Sequence, residues 1–228
     1  MDQHRRIVGL INWISHTSFE ANELLVPVSG GSDSALNFWF CCQTFGKKIG
    51  IGGGKVVGVH AGKNLRAREW FESVGPIKYV ETPGEYAERE EMRWARFLAM
   101  SLERRSWLVG SRNRTEDMLG TYSLASRLAT YLPLVNVWKT EVMELCRLIG
   151  VPTEILESSS RADPDCGRPP ELAEISPGKI ELFLGFTVGE IKQEVLNDLL
   201  SAKEISYLAS LIKRNSFKRI LPIRGIGF

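Results

Sequence analysis

Serine, glycine and aspartate residues follow an apolar run near the start of the chain, where a strand would pass into a helix. The run at 24–28 predicts a buried strand, and Ser29-Gly30-Gly31-Ser32-Asp33-Ser34 comes directly after it. Free backbone N–H groups in a tight turn and at a helix start bind anions, and glycine lets a phosphate approach the backbone closely. The segment therefore predicts a phosphate-binding turn, with an ordinary capped turn as the alternative.

The residues around the two glycines indicate the type of phosphate loop. No lysine follows them, so the segment is not the Walker loop of nucleotide hydrolases. Ser29 to Ser34 resembles the PP-loop, Ser-Gly-Gly-x-Asp-Ser, of the ATP pyrophosphatases. That resemblance implies an enzyme that splits ATP between its α and β phosphates, with the loop around the β and γ phosphates.

Further segments occur downstream in an order that is itself informative. They are Gly110-Ser111-Arg112-Asn113-Arg114-Thr115-Glu116, Pro133-Leu134, Lys139-Thr140-Glu141-Val142, Leu148-Ile149-Gly150-Val151-Pro152 and Phe217-Lys218-Arg219-Ile220-Leu221-Pro222. With the PP-loop, this ordered set resembles the ammonia-dependent NAD synthetases. The resemblance implies an ATP-dependent amide ligase that adenylates a carboxylate, transfers ammonia to the acyl group, and releases AMP and pyrophosphate.

The resemblance also implies roles for three charged residues. Asp33 and Glu116 would hold Mg²⁺ between them, which suits a hard cation that prefers carboxylate and phosphate oxygens. Lys139 would neutralise charge on the departing pyrophosphate. Without the resemblance, Glu116 and Lys139 would be assigned to a solvated helix face.

Three further residues are candidates for the ATP site. Gly110 lies at the end of a predicted strand, where ligands of parallel sheets bind. In the region where the family has an arginine-containing stretch, this chain has Met92-Arg93-Trp94-Ala95-Arg96. Either Arg93 or Arg96 would contact phosphate, and ordinary surface arginines are the alternative.

The chain departs from the family after Glu116. Where the family has Phe-Thr-Lys-Tyr-Gly-Asp-Gly, which helps to bind the dinucleotide, this chain has Tyr122-Ser123-Leu124-Ala125-Ser126-Arg127-Leu128, a stretch typical of continuous helix. The family's acceptor is deamido-NAD. Changed polar groups change which substrate a pocket accepts, so this departure argues for a changed acceptor, and the acid would be deamido-NAD or a related acid. Arg127, Arg161 and Asp163 are the candidate acceptor-binding residues. Guanidinium groups suit anions, although both arginines could equally be surface residues.

Strands that alternate with helices must position these residues. The predicted strands are at 24–28, 55–60, 77–81 and 107–110, and the predicted helices at 3–15, 34–45, 65–74, 85–104, 114–130 and 138–149. This alternation predicts an α/β fold, a parallel sheet flanked by helices on both faces, and the resemblance specifies an adenine-nucleotide α-hydrolase-like sandwich. We expect one domain over 1–228, with a mobile loop at 158–178 and a C-terminal helical extension at 179–228 that contains two short helices.

Composition narrows the class of protein. The 228 residues include 29 basic and 27 acidic side chains, so the net charge of +2 does not favour a nucleic-acid-binding surface. The four cysteines form no Cys-x-x-Cys pair, and no apolar stretch is long enough to span a bilayer. We therefore expect a cytoplasmic enzyme, by analogy with the family a homodimer, that uses ATP, Mg²⁺, a small carboxylate and ammonia. The ammonia would be free or come from a glutaminase partner.

Two other functions stay open at the level of sequence. A PP-loop enzyme could adenylate a different acceptor, such as a tRNA base or a metabolite, for sulfur or nitrogen transfer. A nucleotide-binding regulator would bind ATP without releasing pyrophosphate. Both differ from the amide ligase in whether AMP release depends on ammonium.

Overall fold

A parallel sheet with β1 next to its centre carries the turn that is predicted to bind phosphate. The computed structural model describes residues 3–17, 21–46, 54–62, 64–80, 89–160 and 170–221. In this part of the chain the strands are β1 (Glu23–Pro27), β2 (Lys55–Ala61), β3 (Ile77–Val80) and β4 (Trp107–Leu108). All of them pair in parallel in the order β3-β2-β1-β4, as the sequence predicts. Because the strand order reverses between β1 and β4, the crevice beyond their carboxyl ends is where such sheets bind ligands.

Helices follow the strands and pack around the sheet. They are α1 (Gln3–Thr17), α2 (Ser32–Thr44), α3 (Arg68–Val74), α4 (Glu90–Arg104), α5 (Arg114–Leu119), α6 (Lys139–Leu148), α7 (Thr153–Ser160), α8 (Pro170–Ala173), α9 (Pro177–Thr187), α10 (Gln193–Leu199) and α11 (Ala202–Asn215). Short 3₁₀ helices occur at Leu124–Leu128 and Ser216–Arg219. No helix in these described ranges is long and apolar enough to cross a membrane.

The apolar core holds the site-bearing elements in place. Helix α2 is buried along most of its length, with Leu36, Phe38 and Phe40 fully enclosed between the sheet and α1, α3 and α6. A separate apolar cluster joins α5 to α9, α10 and α11, with Leu119 and Leu184 among its buried members. The helices near the C-terminus therefore pack directly on the helix that carries Glu116.

The prediction of one helix over 114–130 is wrong. Helix α5 ends at Leu119 because Gly120 adopts a left-handed conformation, with φ 67. A side chain at that position would also lie 2.6 Å from Asn215 Cβ. The chain then turns and forms only the 3₁₀ helix Leu124–Leu128. The helical periodicity of the sequence therefore predicts more helix in this stretch than the chain forms.

Helices occupy most of the described part of the stretch predicted as a loop over 158–178. Helix α7 continues to Ser160, α8 begins at Pro170 and α9 begins at Pro177. Residues 161–169, with the candidates Arg161 and Asp163, lie outside the described residues. The C-terminal region also holds more helix than the two short helices expected there, because α9, α10 and α11 fill it up to Asn215.

Candidate active site

The turn after β1 has the conformation that a phosphate loop needs. Gly30 has φ 85, a left-handed conformation that L residues adopt only with strain. A side chain there would also lie 3.3 Å from Arg66 Cβ. Helix α2 begins at Ser32 with Gly31 as its N-cap. Gly31 has no side chain to cap the helix, so it leaves the first-turn amides beyond Ser32 uncapped at the helix end that favours anions.

Serine hydroxyls hold this turn from the inside. Ser34 Oγ donates to Gly31 O at 2.9 Å and accepts from the backbone N–H and the hydroxyl of Ser29, at 3.2 and 3.1 Å. Ser159 of helix α7 accepts from the Ser32 N–H at 3.1 Å. Hydrogen bonds therefore connect the predicted residues Ser29 to Ser34 to one another where β1 passes into α2.

Asp33 is the point at which three elements meet. Its Oδ1 accepts a hydrogen bond from Asn113 Nδ2 at 2.7 Å, and its Oδ2 is ion-paired with Lys139 Nζ. Lys139 also donates to Ser32 Oγ at 2.8 Å. The Asp33 and Lys139 side chains are only 16% and 13% exposed, so solvent screens this pair weakly. The structure thus places Asp33 and Lys139, predicted from separate motifs, in direct contact.

Asn113 is a site residue that the sequence candidates omit. It is fully buried and is the N-cap of α5, where its side chain accepts from the Glu116 N–H at 2.9 Å. Glu116 in return accepts from the Asn113 N–H at 3.3 Å, which completes a capping box. The Asn-x-x-Glu spacing is a sequence signature of such a box and identifies Asn113 as an N-cap, whereas its bond to Asp33, 80 positions away in the chain, has no local signature.

The carboxyl group of Glu116, a half-buried residue, belongs to this cluster. Burial and the negative charge of Asp33 raise its pKa to about 7, against the opposing effect of Lys139. Burial by itself lowers the pKa of Lys139, but the charges of Asp33 and Glu116 outweigh it and the pKa lies above its ordinary value. Two carboxyl groups with one ammonium make a site in which an additional cation is favourable.

The donor set fits a divalent cation bound together with phosphates. Asp33 and Glu116 supply hard carboxylate oxygens, which Mg²⁺ prefers. Among the residues that the structure describes, no group of three or more His, Cys, Asp or Glu side chains could hold a metal. Phosphate oxygens and water would therefore have to complete the coordination.

Cys146 lies against the same loop but is not poised to react. Its Sγ is 3.4 Å from Ser32 O, and burial raises the pKa of the thiol to about 12. A neutral, buried thiol is a poor nucleophile. Cys146 is therefore not expected to act as a covalent nucleophile, and the charged groups around Asp33 suit charge neutralisation.

The other predicted ATP-site residues lie near the sheet. Gly110 O accepts from Asn37 Nδ2 at 3.2 Å, and a side chain at Gly110 would lie 2.6 Å from Leu132 Cδ2 and 2.8 Å from Ala129 Cβ. This glycine is required by close packing at the end of β4. Arg93 is half-buried and Arg96 exposed on α4, so phosphate contact by either arginine stays a prediction.

Arg127 is engaged by the chain's own C-terminal segment. Its Nη1 donates to Lys218 O and its Nη2 to Leu221 O at 2.5 Å. Lys218 Nζ in turn donates to the carbonyls of Gly120 and Tyr122, both at 2.8 Å. The polar groups of this turn therefore bind the tail, and an acceptor role for Arg127 stays a prediction.

Comparison with known proteins assigns this arrangement to a family. The NAD synthase family model matches residues 84–222. The NH(3)-dependent NAD(+) synthetase of Pyrococcus furiosus is 32% identical over 51% of this chain and 47% of its own length, so that alignment spans about half of the relative. The synthetase of the same name from Thermococcus sibiricus is 24% identical over 98% of this chain and 97% of its own.

Solved structures share the fold. The structure of NMN synthetase from Francisella tularensis superposes with a TM-score of 0.77 at 19% identity and covers 100% of both chains. An NH3-dependent NAD synthetase from Campylobacter jejuni gives a TM-score of 0.75 at 16% identity, over 99% of this chain and 100% of that one. At such identities the likeness shows the fold alone.

Proposed function

The chain belongs to the NAD synthase family, and we propose that it catalyses the ATP-dependent amidation of deamido-NAD by ammonia. The observation that carries the proposal is the contact of Asp33 with both Asn113 and Lys139 beside the PP-loop. It joins the loop, the Glu116 capping box and the start of α6 into one charged cluster. The names of the curated relatives favour the same reaction.

The reaction proceeds in two displacements. An oxygen of the substrate carboxylate attacks the α-phosphorus of ATP, and the bond from that phosphorus to the bridging oxygen of pyrophosphate breaks. Ammonia then attacks the acyl carbon, AMP leaves with the former carboxylate oxygen, and the nitrogen loses a proton to give the amide. Adenylation makes the acyl group reactive enough for ammonia, so the protein's task is positioning and charge neutralisation.

Each charged residue has a task in this scheme. The amides and hydroxyls of the loop at 29–34 bind the β and γ phosphates, and the Lys139 ammonium neutralises the charge that develops on pyrophosphate. Asp33 and Glu116 would hold Mg²⁺, which when bound neutralises phosphate charge and makes pyrophosphate a better leaving group. Asn113 orients Asp33 and caps the helix that carries Glu116.

The contacts of the turn after α5 favour a second candidate substrate. Arg127 and the carbonyls of Gly120 and Tyr122 bind the chain's own tail, at the place where the family has its dinucleotide-binding segment. A smaller nicotinate nucleotide, nicotinate mononucleotide, would need fewer contacts there. One solved structure of the same fold is that of an NMN synthetase, and NMN is the amide of that acid.

The remaining alternatives are less supported. Sulfur or nitrogen transfer to a tRNA base or another metabolite has the fold in its favour, since a U34-tRNA thiolase superposes with a TM-score of 0.56. The curated relatives named above are NAD synthetases. A regulator that only binds nucleotide would have no need of the Glu116 carboxyl beside Asp33.

Free ammonia as nitrogen donor, a homodimer and a cytoplasmic location complete the proposal. Size-exclusion chromatography with light scattering tests the dimer.

One assay separates these candidates. The protein is incubated with ATP, Mg²⁺, ammonium and either deamido-NAD or nicotinate mononucleotide, and the AMP, pyrophosphate and amide formed are quantified. Saturable amidation of deamido-NAD supports the main proposal, and selective amidation of the mononucleotide supports the second. If the protein binds ATP but releases no pyrophosphate in the presence of either acid, both proposals are contradicted.

A further inference from the structure

A carboxylate of α9 lies behind the charged residues of the site. Glu181 Oε1 accepts hydrogen bonds from Thr115 Oγ1 at 3.0 Å and from the Thr140 N–H at 2.9 Å. Its Oε2 accepts from the Thr140 hydroxyl at 2.5 Å. One side chain therefore bonds a threonine of α5 and a threonine of α6.

Each threonine is the chain neighbour of a charged site residue. Thr115 precedes Glu116, and Thr140 follows Lys139. Thr115 Oγ1 also accepts from the Lys139 N–H at 3.0 Å. A shift of either threonine would move its neighbour, so the bonds of Glu181 bear on both charged groups together.

The contact of Glu181 with the start of α6 is also electrostatically favourable. First-turn N–H groups have no partner within their own helix, and a helix N-terminus disfavours a cation such as the Lys139 ammonium. Glu181 and Thr115 bind these N–H groups, and the carboxylate at the helix start offsets the unfavourable placement of Lys139.

We propose that Glu181 is a positioning residue for adenylation. It holds α5 and α6 so that Glu116 and Lys139 face the phosphates together. The inference rests on the proposed function, because it assigns these two groups to the ATP site. The bonds described for Glu181 go to α5 and α6 and not to the loop at 29–34, so its loss is expected to lower kcat more than ATP affinity.

Two variants of Glu181, one control and one fallback variant test the role. Glu181→Ala removes all the bonds to the threonines, and Glu181→Gln keeps an oxygen that can accept from Thr140. The matched control is Glu204→Ala, because Glu204 also lies in the C-terminal helices and accepts from Lys179 and Ser201, at 2.9 and 2.7 Å. If Glu181→Ala does not fold, Thr115→Val removes the link to Lys139 with a side chain of similar shape.

The readouts are kcat and KM for ATP in ammonium-dependent AMP release, together with hydrogen exchange at the start of α6. We expect Glu181→Ala to lower kcat by on the order of 10- to 100-fold, since small misplacements cost that much, with KM changed less than about threefold. Glu181→Gln restores most of kcat, and Glu204→Ala keeps it. The Thr140 amide exchanges faster in Glu181→Ala but not in Glu204→Ala.

Failure of this inference is distinguishable from failure of the proposed function. A folded Glu181→Ala variant with wild-type kcat, or an equal loss of kcat in Glu204→Ala, overturns the positioning role. Wild-type protein that amidates neither acid contradicts the function instead. In that case the exchange of the Thr140 amide still decides whether Glu181 holds the start of α6, and unchanged protection in Glu181→Ala rejects it.

Discussion

At the scale of single residues, the proposed mechanism depends on two carboxyl groups and one ammonium. Asp33→Asn and Glu116→Gln are each expected to abolish Mg²⁺-dependent pyrophosphate release, because each removes a negative charge that would hold the cation. Both replacements keep an oxygen for the hydrogen bonds with Asn113, so circular dichroism is expected to show an intact fold. Full activity in either variant would remove that residue from the metal site.

The raised pKa of Glu116 also predicts how stability depends on pH. Below pH 4.5 the carboxyl is protonated in both the folded and the unfolded chain; between 4.5 and about 7 only the unfolded chain ionises. The free energy of unfolding therefore falls as pH rises through this window. Glu116→Gln removes the effect and keeps the cap, since glutamine also serves in a capping box.

The measurement is thermal unfolding of wild type and Glu116→Gln in a chelating buffer. Above pH 7 we expect the variant to be more stable by on the order of 1–3 kcal/mol. At pH 4.5 the difference is expected to be small, because the native carboxyl is then uncharged. A variant less stable than wild type above pH 7 would contradict an unfavourably ionised Glu116.

Asn113 combines two roles that substitution can separate. Serine is an equally good N-cap but is too short to bridge to Asp33, whereas alanine loses both roles. We expect Asn113→Ala to lose about 1–2 kcal/mol of stability and Asn113→Ser to lose less. Both variants are expected to have a much lower kcat in AMP release. An active Asn113→Ser variant would show that the bond to Asp33 is dispensable.

At the scale of elements, local sequence patterns identify the sheet and the phosphate turn. The apolar run before Ser29 and the glycines after it predict β1, the turn and α2, because strand burial and the Gly30 conformation are local properties. Asn113 and Glu181 are missed because their value lies in contacts with residues far away in the chain. Helical periodicity after Glu116 also misleads, because tail packing against Gly120 is not visible locally.

The turn after α5 packs against the C-terminal tail, and Arg127 joins the two by hydrogen bonds. Arg127→Ala removes its bonds to the carbonyls of Lys218 and Leu221. Hydrogen bonds to charged groups contribute about 1.5–3 kcal/mol, so we expect a melting temperature several degrees lower and faster proteolysis of the tail. Lys55→Ala, an exposed site at 65% side-chain exposure, is the control with little expected change. A variant that instead raises only KM for the acid would assign Arg127 to the acceptor.

At the scale of the whole molecule, the C-terminal helices pack behind the proposed ATP site. The apolar cluster that joins α5 to α9, α10 and α11 places Glu181 next to α6, while the sheet and α2 supply the phosphate turn. The site is therefore built from both ends of the chain.

The central claim is that the chain couples cleavage of ATP between its α and β phosphates to amide formation. The most direct measurement is the stoichiometry of AMP, pyrophosphate and NAD formed from ATP, Mg²⁺ and deamido-NAD, with and without ammonium. We expect AMP, pyrophosphate and NAD in equal amounts, and no NAD without ammonium. ADP and phosphate as main products, or AMP release with no amide formed from deamido-NAD, would contradict the claim.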